Sequence, residues 1–102
     1  MRGVSVLGST GSIGLSTLDV LARHPGRYQV AALTANRDVA RMEAQCLQFR
    51  PELAVMAEST AALELQRRLG ARLPETRILG GPDGLVQAAT LESADCVMAA
   101  IV

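Results

Sequence analysis

The sequence predicts an α/β fold, a doubly wound parallel sheet of about five strands alternating with helices. Short apolar runs alternate with segments whose apolar residues return at helical spacing, and Gly and Pro punctuate the joins. The closing run, Val97 to Val102, is apolar without alternation, as in strands covered on both faces. Strands separated by helices must pair in parallel through right-handed crossovers.

Val4 to Leu7 is a short apolar run ended by Gly8, as expected of a buried parallel strand. From Ile13 to His24 the period changes, with Ile13, Leu18, Leu21 and Ala22 on one face of a helix closed by Pro25-Gly26. Tyr28 to Leu33 reads as the second strand. Asp38 to Phe49 is the second helix, with Val39, Met42, Cys46 and Phe49 at helical spacing, and Arg50-Pro51 ends it. Leu53 to Ala57 is a third strand, Thr60 to Leu69 a third helix, and Arg77 to Leu79 a short fourth strand before the Gly80-Gly81-Pro82 turn. Pro82 to Leu91 reads as a helix broken near Gly84. Asp95 to Val102 is a fifth strand that should lie in mid-sheet with a helix on each face. Because the sequence stops on that strand, it is expected to be the N-terminal piece of a longer protein.

Composition removes several function classes. The 102 residues are 49% apolar and 20% charged, which suits one small globular domain or part of one. Ten basic and ten acidic residues cancel and are interspersed, and Tyr28 and Phe49 are the only aromatic residues. A nucleic-acid partner, which needs clustered cations or stacking platforms, is therefore not expected. Every basic residue is Arg, so no lysine base or P-loop lysine is available. Cys46 and Cys96 lie in apolar surroundings and read as buried thiols of a reducing compartment. The first apolar run is too short for a signal peptide and none approaches the roughly 20 residues of a membrane span, so a cytoplasmic location and no membrane partner are expected.

The chemistry lies in Gly8-Ser9-Thr10-Gly11-Ser12-Ile13-Gly14, between the first strand and the first helix. Backbone N–H groups at a helix N-terminus lack partners and face the positive end of the helix dipole, so phosphate binds there. Gly8 makes the tight turn, Gly11 permits close approach of a pyrophosphate and Gly14 lets helix and strand pack closely, while Thr10 and Ser12 add hydroxyls. Three glycines alone also suit a structural turn. Their place in a strand–turn–helix unit turns the reading toward a Rossmann-like dinucleotide site.

The end of the second strand reads Thr34-Ala35-Asn36-Arg37-Asp38. An acidic residue here grips the ribose of NAD, whereas a basic one favours the extra phosphate of NADP. Arg37 is placed for a 2′-phosphate, with a solvated loop residue as the alternative. Asp38 either binds ribose or caps the second helix, and the cap is the preferred reading. His24, at a helix C-terminus, suits the dipole better than catalysis. Glu58, Glu64 and Asp83 form no recognisable pair, and Met42, Met56 and Met98 read as core fillers.

The run Val6 to Gly14 followed by Ser16-Thr17-Leu18-Asp19-Val20 resembles the N-terminal signature of the 1-deoxy-D-xylulose 5-phosphate reductoisomerases. Ala32-Leu33-Thr34-Ala35 with Asn36, the segment Gln45 to Pro51 before Ala54-Val55, and Val97 to Val102 extend the resemblance along the chain. It implies an NADPH-dependent enzyme that rearranges and reduces 1-deoxy-D-xylulose 5-phosphate, a phosphosugar, to 2-C-methyl-D-erythritol 4-phosphate in isoprenoid biosynthesis. It further implies a divalent metal, Mg2+ or Mn2+, and a homodimer. Residues 1–102 would form an incomplete NADP(H)-binding domain without turnover of its own. Cofactor contacts would fall on Thr10, Gly11, Ser12 and Ile13 in the turn and on Asn36, Arg37 and Asp38 after the second strand. The family often has Gly, Lys and Asn at this second group, so Arg37 keeps the charge and Asp38 departs from the pattern. Metal and substrate residues would lie beyond Val102. A semialdehyde-dehydrogenase-like or short-chain-reductase-like domain, and a non-catalytic NADP-sensing module, remain alternatives.

Overall fold

A computed structural model describes residues 2–100. Five strands, β1 (Arg2–Leu7), β2 (Tyr28–Ala35), β3 (Leu53–Met56), β4 (Arg77–Gly80) and β5 (Cys96–Ala99), alternate with α1 (Ser12–Ala22), α2 (Val39–Phe49), α3 (Ser59–Leu69) and α4 (Pro82–Ala89). All pairings are parallel and the strand order is β4-β3-β2-β1-β5. The expected Rossmann-like architecture is therefore present.

Alternation along the strands sends side chains to two cores. Val4, Val6, Leu33, Ala35, Ala54 and Met56 meet Leu18 and Leu21 of α1, Met42 and Cys46 of α2 and Leu65 and Leu69 of α3. The other face, with Ala32, Leu53 and Val55, meets Ala88 and Leu85 of α4. Three crossovers thus step outward beneath one face, and α4 brings the chain back beneath the other. The β1–β2 register shifts once, between Val4 and Ser5, where a bulge on β2 resets the alternation.

Local chemistry sets the boundaries. Asp38 caps α2 by accepting from the Arg41 N–H at 3.1 Å. Arg50 closes that helix in the left-handed region, φ 48°, and Pro51 cannot continue it. Across α2 and α3, Glu64 accepts from Arg67 and Arg68, and Arg68 and Arg72 both reach Glu43.

Four expectations need correction. Ile13 and Ala22 are exposed; α1 presents Gly14, Leu18 and Leu21 to the sheet, because Gly14 lets the helix approach until backbone fills the space. No break occurs at Gly84. A side chain there would stand 2.9 Å from Val55 Cγ1, so its absence lets a continuous α4 settle on the sheet. The fifth strand is an edge strand among the described residues, paired with β1 alone, and Val97 and Met98 are exposed rather than covered by helices. Met98 is consequently not a core filler, unlike Met42 and Met56, and Cys96 is only half-buried. Residues 101 and 102 of the expected strand lie outside the described residues.

Candidate nucleotide-binding site

The C-terminal ends of the parallel strands share one edge of the sheet. The strand order reverses at β1, with β2 on one side and β5 on the other. In open α/β sheets this reversal opens a crevice for ligands. The Gly8–Gly14 turn sits there, directly after β1 and before α1.

Gly8 has φ 80°, a conformation that favours glycine. Its N–H and that of Ser9 both donate to the Thr34 carbonyl, at 3.0 and 2.8 Å, anchoring the turn to the end of β2. A side chain on Gly14 would run into the Gly8 carbonyl and stand 2.7 Å from the Ser9 Cα. Gly11 differs: among the described residues outside its chain neighbours, a side chain there would come within 4 Å of the Gly8 carbonyl oxygen alone, at 3.8 Å. That side of the turn is open. The Gly11 N–H turns back to Gly8 at 3.4 Å, whereas those of Thr10, Ser12, Ile13 and Gly14 have no acceptor among the described residues. No acidic side chain occupies the first turn of α1, so the positive end of its dipole is not neutralised. This backbone can receive phosphate oxygens, and the open side at Gly11 gives them access.

Asn36, Arg37 and Asp38 form the exposed loop after β2, at the same edge of the sheet. The Arg37 side chain is 82% exposed, and its nearest acid is Glu58, at 3.8 Å. It is free to turn toward a phosphate. Asp38 is engaged as the α2 cap and lies 3.8 Å from the Arg41 guanidinium. The cap reading is therefore the one its geometry supports.

Two residues that the sequence reading passed over join these segments. Arg41 donates to the Thr10 carbonyl at 3.2 Å, and Gln45 donates to the Ser9 carbonyl at 2.8 Å. The available signal was Gln45 itself, a polar residue beside Met42 and Cys46 on the buried face of α2.

The remaining candidates lie elsewhere. His24 is exposed beyond the far end of α1, edge-on to Tyr28 with ring centres 6.3 Å apart. Among the described residues, no group of three His, Cys, Asp or Glu could hold a metal ion. An open cavity of about 630 Å³ is lined by Gly3, Arg50, Glu52, Arg72, Thr76 and Asp95, at the N-terminal edge of the sheet. It contains none of the expected cofactor residues, and parallel sheets bind their ligands at the opposite edge.

The family model described as 1-deoxy-D-xylulose 5-phosphate reductoisomerase matches residues 4–102. The protein of that name from Nitrosomonas europaea is 56% identical over 101 residues, 99% of this chain and 24% of its own length. A solved reductoisomerase from Zymomonas mobilis in complex with NADPH superposes with a TM-score of 0.90 at 43% identity, covering 98% of this chain and 26% of that one. Another, in complex with NADPH, fosmidomycin and magnesium, gives a TM-score of 0.89 at 35% identity, covering 95% of this chain and 24% of that one. The chain thus spans about a quarter of the length of these relatives. It belongs to the 1-deoxy-D-xylulose 5-phosphate reductoisomerase family.

Proposed function

We propose that this chain is the NADPH-binding part of an enzyme converting 1-deoxy-D-xylulose 5-phosphate to 2-C-methyl-D-erythritol 4-phosphate. The observation that carries the reading is the set of unpaired N–H groups on an open glycine turn at the point where the strand order reverses.

The residues fit such a cofactor. Thr10, Ser12 and Ile13 would bind the pyrophosphate through backbone N–H groups and two hydroxyls, with Gly11 leaving their side of the turn open to it, while Gly8 and Gly14 shape the turn. Arg37, with Asn36 beside it, would bind the 2′-phosphate through charge-assisted bonds. Asp38 keeps its capping role and fixes the loop that carries Arg37. NADPH, when bound, supplies the hydride for the reductive step, and the chain binds and orients it.

The wider assignment concerns the whole protein. A divalent metal, Mg2+ or Mn2+, would assist the rearrangement, held by residues outside 1–102. A phosphosugar substrate suits a family with a fosmidomycin-bound member. A homodimer in the cytoplasm completes the proposal; no helix among the described residues is long and apolar enough to cross a membrane.

Calorimetric titration of the whole protein with NADPH and NADH tests the cofactor assignment. NADPH should bind more tightly, and Arg37→Ala should remove roughly ten- to a hundredfold of that preference, the worth of a charge-assisted bond. Equal binding of both cofactors by the wild type would refute the role of Arg37, and binding of neither would refute the site.

A further inference from the structure

Gln45 lies on α2, outside the glycine turn, yet its side-chain nitrogen meets the Ser9 carbonyl at 2.8 Å. Only the nitrogen end of a carboxamide can face a carbonyl, so the orientation of this side chain is chemically determined. One helical turn earlier, Arg41 donates to the neighbouring Thr10 carbonyl at 3.2 Å. Residues four apart share one face of a helix, so α2 holds two successive peptides of the turn from the same side.

The site is an expensive one for a carboxamide. Gln45 is buried between Met42 and Cys46, and its Oε1 has no partner among the described residues; the buried Ser9 hydroxyl is likewise unpaired. Burying an unsatisfied polar atom is unfavourable, and an apolar residue of similar size would suit the packing better. The bond to Ser9 therefore serves something other than core stability.

The peptide geometry indicates what. In a trans peptide the C=O of one residue and the N–H of the next point in opposite directions, and the chain contains no cis peptide among the described residues. Drawing the Ser9 carbonyl toward α2 turns the Thr10 N–H away from α2, and that N–H has no acceptor among the described residues. We propose that Gln45 is a positioning residue for the cofactor pyrophosphate: by holding the Ser9 carbonyl, with Arg41 on the Thr10 carbonyl, it presents the Thr10 N–H to phosphate. The proposal rests on the cofactor reading above.

The test is calorimetric titration of the whole protein and its Gln45→Met variant with NADPH, NADH and adenosine 2′-monophosphate, which lacks the pyrophosphate. Gln45→Met keeps the volume and removes the donor. Both dinucleotides should weaken by the same factor, about tenfold, the worth of one N–H bond to a charged group. The NADPH-to-NADH ratio and the affinity for adenosine 2′-monophosphate should not change, and that unchanged binding also reports a folded protein. Gln45→Asn, too short to reach Ser9, should behave alike and replaces the first variant if that one does not fold. Unchanged dinucleotide affinity in a folded variant overturns the proposal, as does a loss confined to NADPH or one shared by adenosine 2′-monophosphate. If the wild type binds no dinucleotide, the cofactor reading itself fails.

Discussion

Gly14 and Gly8 are in backbone contact: a side chain on Gly14 would collide with the Gly8 carbonyl, whereas one on Gly11, three residues earlier, would meet it only at an ordinary 3.8 Å. The two glycines should therefore respond to the same substitution in opposite ways. Gly14→Ala forces α1 away from β1 and should cost about 1–3 kcal/mol of stability, as overpacking does. Gly11→Ala should change stability by no more than about 0.5 kcal/mol, since Gly11 has an ordinary extended conformation, φ −78°. Its new methyl would stand where the proposed site receives phosphate, so NADPH affinity should fall although the fold is intact. Denaturant melts and NADPH titrations of both variants check the contrast.

Glu58 is the nearest acid to Arg37, at 3.8 Å. A contact this exposed is weak, but on the proposed reading it would compete with the 2′-phosphate for the same guanidinium. Glu58→Gln should tighten NADPH by up to about fivefold, the range of an exposed ion pair, and leave NADH unchanged. Weaker NADPH binding in this variant would mean that Glu58 orients Arg37 rather than competing for it.

Asp38 caps α2 with its carboxylate, and an asparagine oxygen can do the same. Asp38→Asn should keep the stability, whereas Asp38→Ala should lose about 1 kcal/mol in urea melts. If Asp38→Asn also binds NADPH more tightly, the carboxylate opposes the 2′-phosphate at this loop.

Hydrogen bonds from Arg67 and then Arg68 hold the Glu64 carboxyl well below its ordinary 4.5, down to about 2. A carboxyl depressed on folding contributes stability above its unfolded value and loses it as pH falls. Thermal melts should therefore show this contribution complete above about pH 4.5 and fading toward pH 2. In Glu64→Gln that part of the acid dependence should disappear.

Burial pushes the Cys46 thiol up to about 12. At pH 8 its thiolate fraction is roughly one in ten thousand, too small for ready reaction. An aromatic disulfide reagent should leave Cys46 unmodified in the native protein and titrate it only in denaturant; modification of Cys46 in the native state would contradict its burial.

The parts of the fold that depend on local pattern were legible in the sequence. Val4 to Leu7 and Leu53 to Met56 are short, mostly apolar runs beside turn residues, so their burial could be read directly. The glycine turn was equally legible, because its spacing has one strong structural context. What depends on relative placement was not. The same residues that make β5 a strand do not say which strand it pairs with, and only the return path of α4 sets it beside β1. Ile13 was placed on one helix face with Leu18 and Leu21 because periodicity weighs side chains, whereas α1 meets the sheet through Gly14 and leaves Ile13 exposed. Gln45 and Arg41 act at residues more than thirty positions away, a relation carried by no local spacing.

The adjacency of β1 and β5 has a kinetic consequence. Gly3 donates to the Asp95 carboxylate at 2.8 Å across 92 positions of chain, and the Asp95 N–H returns to the Gly3 carbonyl at 2.7 Å. Closing so long a loop costs more entropy than any β–α–β step, and such non-local contacts slow folding. The β1–β2–β3 half can form from shorter loops, leaving β5 to dock late. The point where the strand order reverses lies at the seam between the early and late parts, so a chain halted before the last strand docks would hold its glycine turn and still lack the β5 side of that crevice. Dinucleotide binding in a refolding experiment should accordingly lag behind the recovery of helix signal.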